Sequence, residues 1–230
     1  MNLEKFYDEI RDTFTLTDEN VRGFDFILRF AEHEYKPNLD ELAYILATAW
    51  HETAHRMQPI AEYGKGRGRK YGKSTPPFGK VYYGRGYVQL TWDYNYKKAG
   101  DKLGVDFLRY PEKVMEPEHA VKILFVGMQQ GWFTGKKLRD YLDNVDENDK
   151  EDLREFTNAR RIINGTDKQV MIGQYALVFE KALRAAGYGK KQTAPEKKKP
   201  EPVEKKPEPS EKKPTLVDAI LAILKAIFKK

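Results

Sequence analysis

The chain has 230 residues, with 41 Lys and Arg against 35 Asp and Glu, no cysteine, and 40% hydrophobic residues. That length holds one domain of ordinary size plus an extension, with enough apolar side chains for a packed core. The lack of cysteine excludes a disulfide framework, a zinc–thiolate site and a thiol nucleophile.

The first residues, Met1 to Glu9, are charged and show no apolar run, so no export signal is expected. No stretch approaches the ~18 apolar residues of a spanning helix. The expectation is a protein made soluble in the cytoplasm.

In chain order, Val21, Phe24, Ile27, Leu28 and Ala31 recur at helical spacing between Thr17 and Tyr35. Asn38 followed by Glu41 reads as a capped helix start, and the helix it opens is expected to run through Leu42, Ile45, Leu46, Ala49 and Trp50 to about His55. Residues 62–90 are rich in Gly, Lys, Arg and Tyr and broken at Pro76-Pro77, which predicts loops and a small hairpin. Helices are predicted again over Trp92–Leu103, Pro117–Phe133, Lys150–Ile163 and Asp167–Ala186, the last closed by Gly187. The fold class is mainly α, with a loop-rich segment lining a cleft.

Beyond residue 189 the composition changes. Residues 190–214 hold nine Lys, five Glu and six Pro and almost nothing apolar, which predicts a disordered, extended linker. From Thr215 to Lys230 the sequence turns apolar. On a helical projection Asp218, Lys225 and Lys229 share a narrow side, while Leu216, Val217, Ile220, Leu221, Ile223, Leu224, Ile227 and Phe228 cover the opposite half. A helix of this kind, ~20 Å long, suits a membrane interface. Docking on the domain or self-association is the alternative, and the linker favours membrane contact. The expected membrane-facing residues are Ile220, Leu224, Lys225, Ile227, Phe228 and Lys229.

Charge follows the same division. Residues 190–230 carry twelve Lys against five Glu and one Asp, so residues 1–189 hold 29 basic and 29 acidic side chains. The whole excess of +6 lies in the tail, and a nucleic-acid partner for the domain loses its first argument.

Two chemistries fit the segment Trp50-His51-Glu52-Thr53-Ala54-His55. His51-Glu52-x-x-His55 satisfies the HExxH zinc pattern, which places two imidazoles on one helical face around a general-base glutamate. Alternatively, Glu52 ends an apolar helix beside Trp50, where burial raises its pKa as a proton donor requires.

The block Val81-Tyr82-Tyr83-Gly84-Arg85-Gly86-Tyr87-Val88-Gln89-Leu90-Thr91-Trp92-Asp93-Tyr94-Asn95-Tyr96 resembles the YYGRGPxQLTxxxNY signature of glycoside hydrolase family 19, the class I chitinases and related phage endolysins. His51-Glu52-Thr53 and Arg161-Ile162-Ile163-Asn164-Gly165 resemble two further family segments, in the same order. Tyr87 departs from it where proline is frequent, and Arg160-Arg161 carries one residue more than the tightest form of its motif. The resemblance implies a bilobal lysozyme-like domain over residues 1–189 and catalysis by inversion without metal or cofactor.

It further implies Glu52 as general acid and Thr91 as the hydroxyl holding the attacking water. Glu62, the nearest loop carboxylate, is the candidate base; the alternative is an exposed glutamate paired with Lys65, Arg67 or Arg69. Gln89, Tyr94, Asn95 and Asn164 match sugar-gripping positions, and Tyr83 and Arg85 are grouped with them as substrate-binding. The expected partners are peptidoglycan or chitin strands and an anionic membrane surface, with no nucleic acid, for a monomer. With no export signal and a cationic amphipathic tail, an endolysin held in the host cytoplasm until lysis is favoured over a chitinase.

Overall fold

The computed structural model describes residues 1–146, 148–189, 192–193, 220–222 and 224–225. Seven α-helices dominate them: α1 (Leu3–Arg11), α2 (Asp18–Phe30), α3 (Leu39–Glu52), α4 (Asp93–Leu103), α5 (Pro117–Gln130), α6 (Asp149–Ala159) and α7 (Gln169–Ala185). The pattern read between Thr17 and Tyr35 is α2 followed by one wider turn over Ala31–Tyr35. Thr17 caps α2 by accepting from the Asn20 N–H while the Asn20 side chain accepts from the Thr17 N–H. Asn38 and Glu41 make the same reciprocal pair at α3, as their spacing predicts. Helix α1 follows an Asn2 cap and was not read from the sequence.

Helix α3 is the central element. All of Leu39–Trp50 except Glu41 is buried; α7 lies along α3, and α1 and α6 pack on α7. A helix buried nearly all round is held by packing more than by propensity. Phe14, Phe24, Trp50 and Phe179 form an aromatic cluster beneath its C-terminal end. The Asn2 N–H donates to the Ala186 carbonyl at 2.8 Å, and the Tyr188 hydroxyl to the Pro37 carbonyl at 2.8 Å, so the two ends of 1–189 close on each other.

Helix α3 stops at Glu52, not near His55. The Thr53 hydroxyl turns back to donate to the Ala49 carbonyl and accepts from the Met57 N–H. Ala54 and His55 then take left-handed backbone angles, φ 49° and 66°. Asn20 secures the turn by donating to the His55 carbonyl at 2.7 Å. Inside 62–90, read as loops and a small hairpin, single bridges join Thr75 to Lys80 and Arg85 to Leu90, and the stretch is closed by an antiparallel pairing of β1 (Ile60–Ala61), just before it, with β2 (Arg85–Gly86). It joins the end of α3 to the signature block.

The tail departs from expectation at two points. Gln192–Thr193, inside the segment read as a disordered linker, forms β4, parallel to β3 (Val145–Asp146). Ile220 and Leu224, expected to face a membrane, are 3% and 1% exposed and belong to the core cluster, with Leu221 packed against it; Lys225 is exposed. Residues one helical turn apart share a face, so Ile220 and Leu224 are buried together within the protein. Ile227, Phe228 and Lys229 lie outside the described residues. No described helix is long and apolar enough to cross a membrane.

Burial of this kind contributes to stability. Ending the chain after Gly189 is expected to cost about 2–5 kcal/mol, the range for emptying buried Leu or Ile positions. At roughly 2–4 °C per kcal/mol for a domain of this size, thermal denaturation of the two chains resolves that loss. Equal melting temperatures would show that the helix adds nothing to the domain.

Candidate active site

Glu52 is the last residue of α3, and its side chain is 14% exposed. Its partner is Arg160, 108 residues away, in the tight turn Arg160–Ile162 that follows α6. Arg160 is 2% exposed; its Nη1 donates to Glu52 Oε1 at 2.5 Å and its Nε to the Asp167 carbonyl at 3.0 Å. The Tyr44 hydroxyl, two turns earlier on α3, lies in the electrostatic reach of both, and burial pushes its pKa up. Burial raises the pKa of Glu52, and Arg160 opposes the rise without cancelling it. Glu52 therefore keeps its proton to higher pH than an ordinary carboxyl while staying fixed by a charge-assisted bond.

The zinc alternative fails on geometry. HExxH requires one continuous helix through both histidines, yet α3 ends between them and His55 adopts a left-handed backbone. The His55 ring instead stacks on Trp50 at 4.8 Å. His51 stays a neutral imidazole at neutral pH, its pKa lowered to about 4 by burial and by Arg160.

Glu62 follows β1 and organises the loop after it. Its carboxylate accepts from the Gly66 N–H, from the Tyr71 hydroxyl at 3.1 Å and from the Gly84 N–H at 3.3 Å. All three partners are donors, so the carboxylate acts here only as an acceptor. Among the described residues no ion pair joins Glu62 to Lys65, Arg67 or Arg69, so a surface salt bridge does not describe it. Gly84 leaves room for both side chains: a Cβ on it would meet Gln89 Oε1 at 2.9 Å and Glu62 Oε2 at 3.0 Å. Glu62 and Gln89 thus face the same strip of backbone.

The signature block divides between scaffold and exposed edge. Arg85, expected to bind substrate, is buried; its Nη1 donates to the Tyr96 hydroxyl at 2.8 Å and the Val81 carbonyl at 3.1 Å, and its guanidinium lies 3.5 Å from the Tyr83 ring centre. It is a structural pin, because its charge is enclosed by these acceptors and rings, and Tyr83 is partly its lid. Gln89 spends its amide nitrogen on the Ile60 and Gly86 carbonyls, at 3.1 and 3.2 Å, which leaves its amide oxygen towards Gly84. Thr91 is half-buried, and its hydroxyl has no hydrogen bond among the described residues; its carbonyl accepts from Asn95 Nδ2 at 3.0 Å. Tyr94 is exposed and stacks on Trp92, which meets Tyr71 edge-on. Tyr71, Trp92 and Tyr94 form an aromatic strip that begins at Glu62.

The site residues therefore fall into two groups, Glu52 with Arg160, and Glu62 with Tyr71, Gly84 and Gln89. The segment 53–61 runs directly from one to the other. No hydrogen bond links the two carboxylates, each being fixed by its own partners. Asn164 is exposed on the turn whose Arg160 holds Glu52, with its N–H on the Arg160 carbonyl at 3.0 Å. Arg161, the motif arginine read from the sequence, points elsewhere and donates to Asn158 Oδ1 at 2.7 Å.

Comparison with known proteins agrees with the sequence motifs. Residues 40–141 match the family described as chitinase class I. An endochitinase of Arabidopsis thaliana is 42% identical over 79 residues, 32% of this chain and 29% of that protein. An inactive chitinase-like protein of Hevea brasiliensis is 56% identical over 36 residues, 16% of this chain and 12% of that protein. Chitinase C of Streptomyces griseus aligns at 23% identity and a TM-score of 0.49, over 82% of this chain and 77% of that one. The chain thus spans less than a third of the length of these plant relatives. The matched segment contains Glu52, Glu62 and the whole signature block, so the family match and the sequence motifs of glycoside hydrolase family 19 fall on the same residues.

Proposed function

We infer that the protein hydrolyses β-1,4-linked glycans containing N-acetylglucosamine, with Glu52 donating a proton to the leaving oxygen. The observation that carries this is the state of Glu52: a carboxyl with a raised pKa, fixed by Arg160, in a family 19 domain. Glu62, fixed by the Gly66 and Gly84 N–H groups and the Tyr71 hydroxyl, is the candidate base that activates water, and Thr91 offers a hydroxyl to orient that water. The aromatic strip from Tyr71 to Tyr94 suits stacking on sugar rings. Tyr94, Asn95, Asn164 and the Gln89 amide oxygen supply polar contacts.

The polymer is proposed to be bacterial peptidoglycan, in an endolysin. A cationic amphipathic C-terminal segment supports that reading over a chitinase, and the relatives' names point only to the chemistry shared by both. Initial rates on purified peptidoglycan and on colloidal chitin decide between them, and faster chitin hydrolysis would reverse the assignment. The C-terminal helix is proposed to act on anionic membranes after leaving its buried position, since Ile220 and Leu224 cannot serve the core and a bilayer at once. Anionic vesicles should then lower the melting temperature of the full chain and leave a chain ending at Gly189 unaffected.

A second reading, glycan binding without hydrolysis, draws support from the inactive relative of Hevea brasiliensis. The buried proton donor argues against it. Wild-type digests separate the two: reducing ends released from a glycan that also sediments the protein support hydrolysis, whereas sedimentation without any release of reducing ends would favour the binding reading.

A further inference from the structure

The loop that follows Glu62 carries a charge distribution that hydrolysis of a neutral glycan does not require. From Tyr63 to Trp92 the sequence has seven basic residues and no acidic one, within a stretch 1–189 that is formally neutral. Arg85 is the buried one. Lys65, Arg67, Arg69, Lys70, Lys73 and Lys80 are all exposed, and among the described residues none of them is in an ion pair.

The loop is also shaped to hold these charges in place. A Cβ on Gly72 would lie 1.8 Å from the Gly66 carbonyl oxygen, so residues 66–72 close on themselves by backbone contact that only glycine allows. Gly66 has φ +77° and gives its N–H to Glu62, while the Tyr71 hydroxyl binds the same carboxylate. Arg67, Arg69 and Lys70 therefore sit on the outer edge of a ring whose inner edge is tied to Glu62. Arg69 acts electrostatically on Tyr71, which places its charge beside the site.

Like charges this dense repel one another, and the repulsion is relieved when an anionic partner enters. Chitin has no charge. Peptidoglycan alternates the same N-acetylglucosamine with a lactyl-substituted amino sugar, and the peptides on that sugar carry carboxylates. We propose that the ring from Lys65 to Lys73, with Lys80, is a cationic rim that binds the carboxylates of peptidoglycan alongside the glycan cleft and selects it over chitin. This rests on the glycosidase reading of Glu52 and Glu62 but uses none of their chemistry.

The test uses the full chain with Arg67, Lys70, Lys73 and Lys80 all changed to Gln. On purified peptidoglycan, kcat/KM is expected to fall about tenfold at low salt, and the steep salt dependence of the wild type should flatten. On a neutral N-acetylglucosamine hexamer the variant should stay within twofold of wild type at all salt concentrations. Peptidoglycan with its carboxylates amidated should be a poor substrate for wild type and variant alike. Lys70→Arg with Lys73→Arg should retain wild-type behaviour, which separates charge from folding. Equal losses on the hexamer and on peptidoglycan, or no loss on either, would overturn the proposal.

Sedimentation with peptidoglycan of Glu52→Gln, alone and combined with the four substitutions, reads the rim without catalysis. Loss of binding in the combined variant supports the rim even if the wild type hydrolyses nothing, in which case only the glycosidase reading fails. Binding of Glu52→Gln to double-stranded DNA as tightly as to peptidoglycan would assign the rim to polyanions in general and overturn its role in glycan choice.

Discussion

Glu52→Gln lowers glycan hydrolysis by about 10²–10⁴-fold, the contribution of a positioned general acid. Glutamine keeps the shape and an oxygen that accepts from Arg160, so the pair at 2.5 Å persists as a hydrogen bond with one charge removed. Arg160 is 2% exposed and then lacks a counter-charge, so a fall of a few degrees in melting temperature accompanies the lost activity. Circular dichroism at 25 °C should remain that of the wild type. Because Glu52 acts in its protonated form, activity of the wild type falls as pH rises through its raised pKa, and that limb is absent from any residual activity of the variant. Residual activity above a tenth of wild type would remove Glu52 from the acid role.

Arg160→Met is expected to damage both stability and rate. It strands the Glu52 carboxylate in a site where burial already disfavours charge, and breaking such a pair costs about 3–5 kcal/mol. The sign of the pH effect follows from the same contacts. Arg160 holds the Glu52 pKa down against burial, so its removal lets the pKa rise and moves the alkaline limb to higher pH. The rate at the optimum falls because the carboxyl is no longer held, while the limb shifts the other way from a simple loss of acid. A merely structural arginine would lower the rate with the pH profile in place. The double variant Glu52→Gln, Arg160→Met should be more stable than Arg160→Met alone, since no buried charge is left unpaired.

What the sequence made legible was local. Asn38 and Glu41 sit three residues apart and cap each other, so the start of α3 was readable to the residue. Its end was not, because the helical pattern continues past Glu52 and the stop is imposed from outside. A Cβ on Gly23 of α2 would lie 2.0 Å from the Met57 carbonyl oxygen, so the turn after Thr53 is fitted against α2 at a contact 34 residues away in sequence. That ending refutes the zinc motif and places Glu52 at the helix terminus.

The signature block named its residues without showing their surroundings. Arg85 looked like a ligand because arginine so often grips substrates, but its distance-dependent partners, Tyr83 and Tyr96, enclose it. Arg160 was passed over for Arg161, since adjacent arginines in a helical turn point in different directions and only packing tells which faces α3. The tail is a similar case. Amphipathic spacing in residues 215–230 defines an apolar face but not its partner, and Ile220 and Leu224 find theirs in the protein core.

The most direct test of the account is the kind of bond cut in purified peptidoglycan by the full chain. New reducing sugar ends and new free amino groups are counted in the same digest, with Glu52→Gln run in parallel. The account predicts reducing ends that accumulate with time, no rise in amino groups, and near-complete loss of the signal in the variant. Amino groups without reducing ends, or reducing ends undiminished by Glu52→Gln, would contradict it.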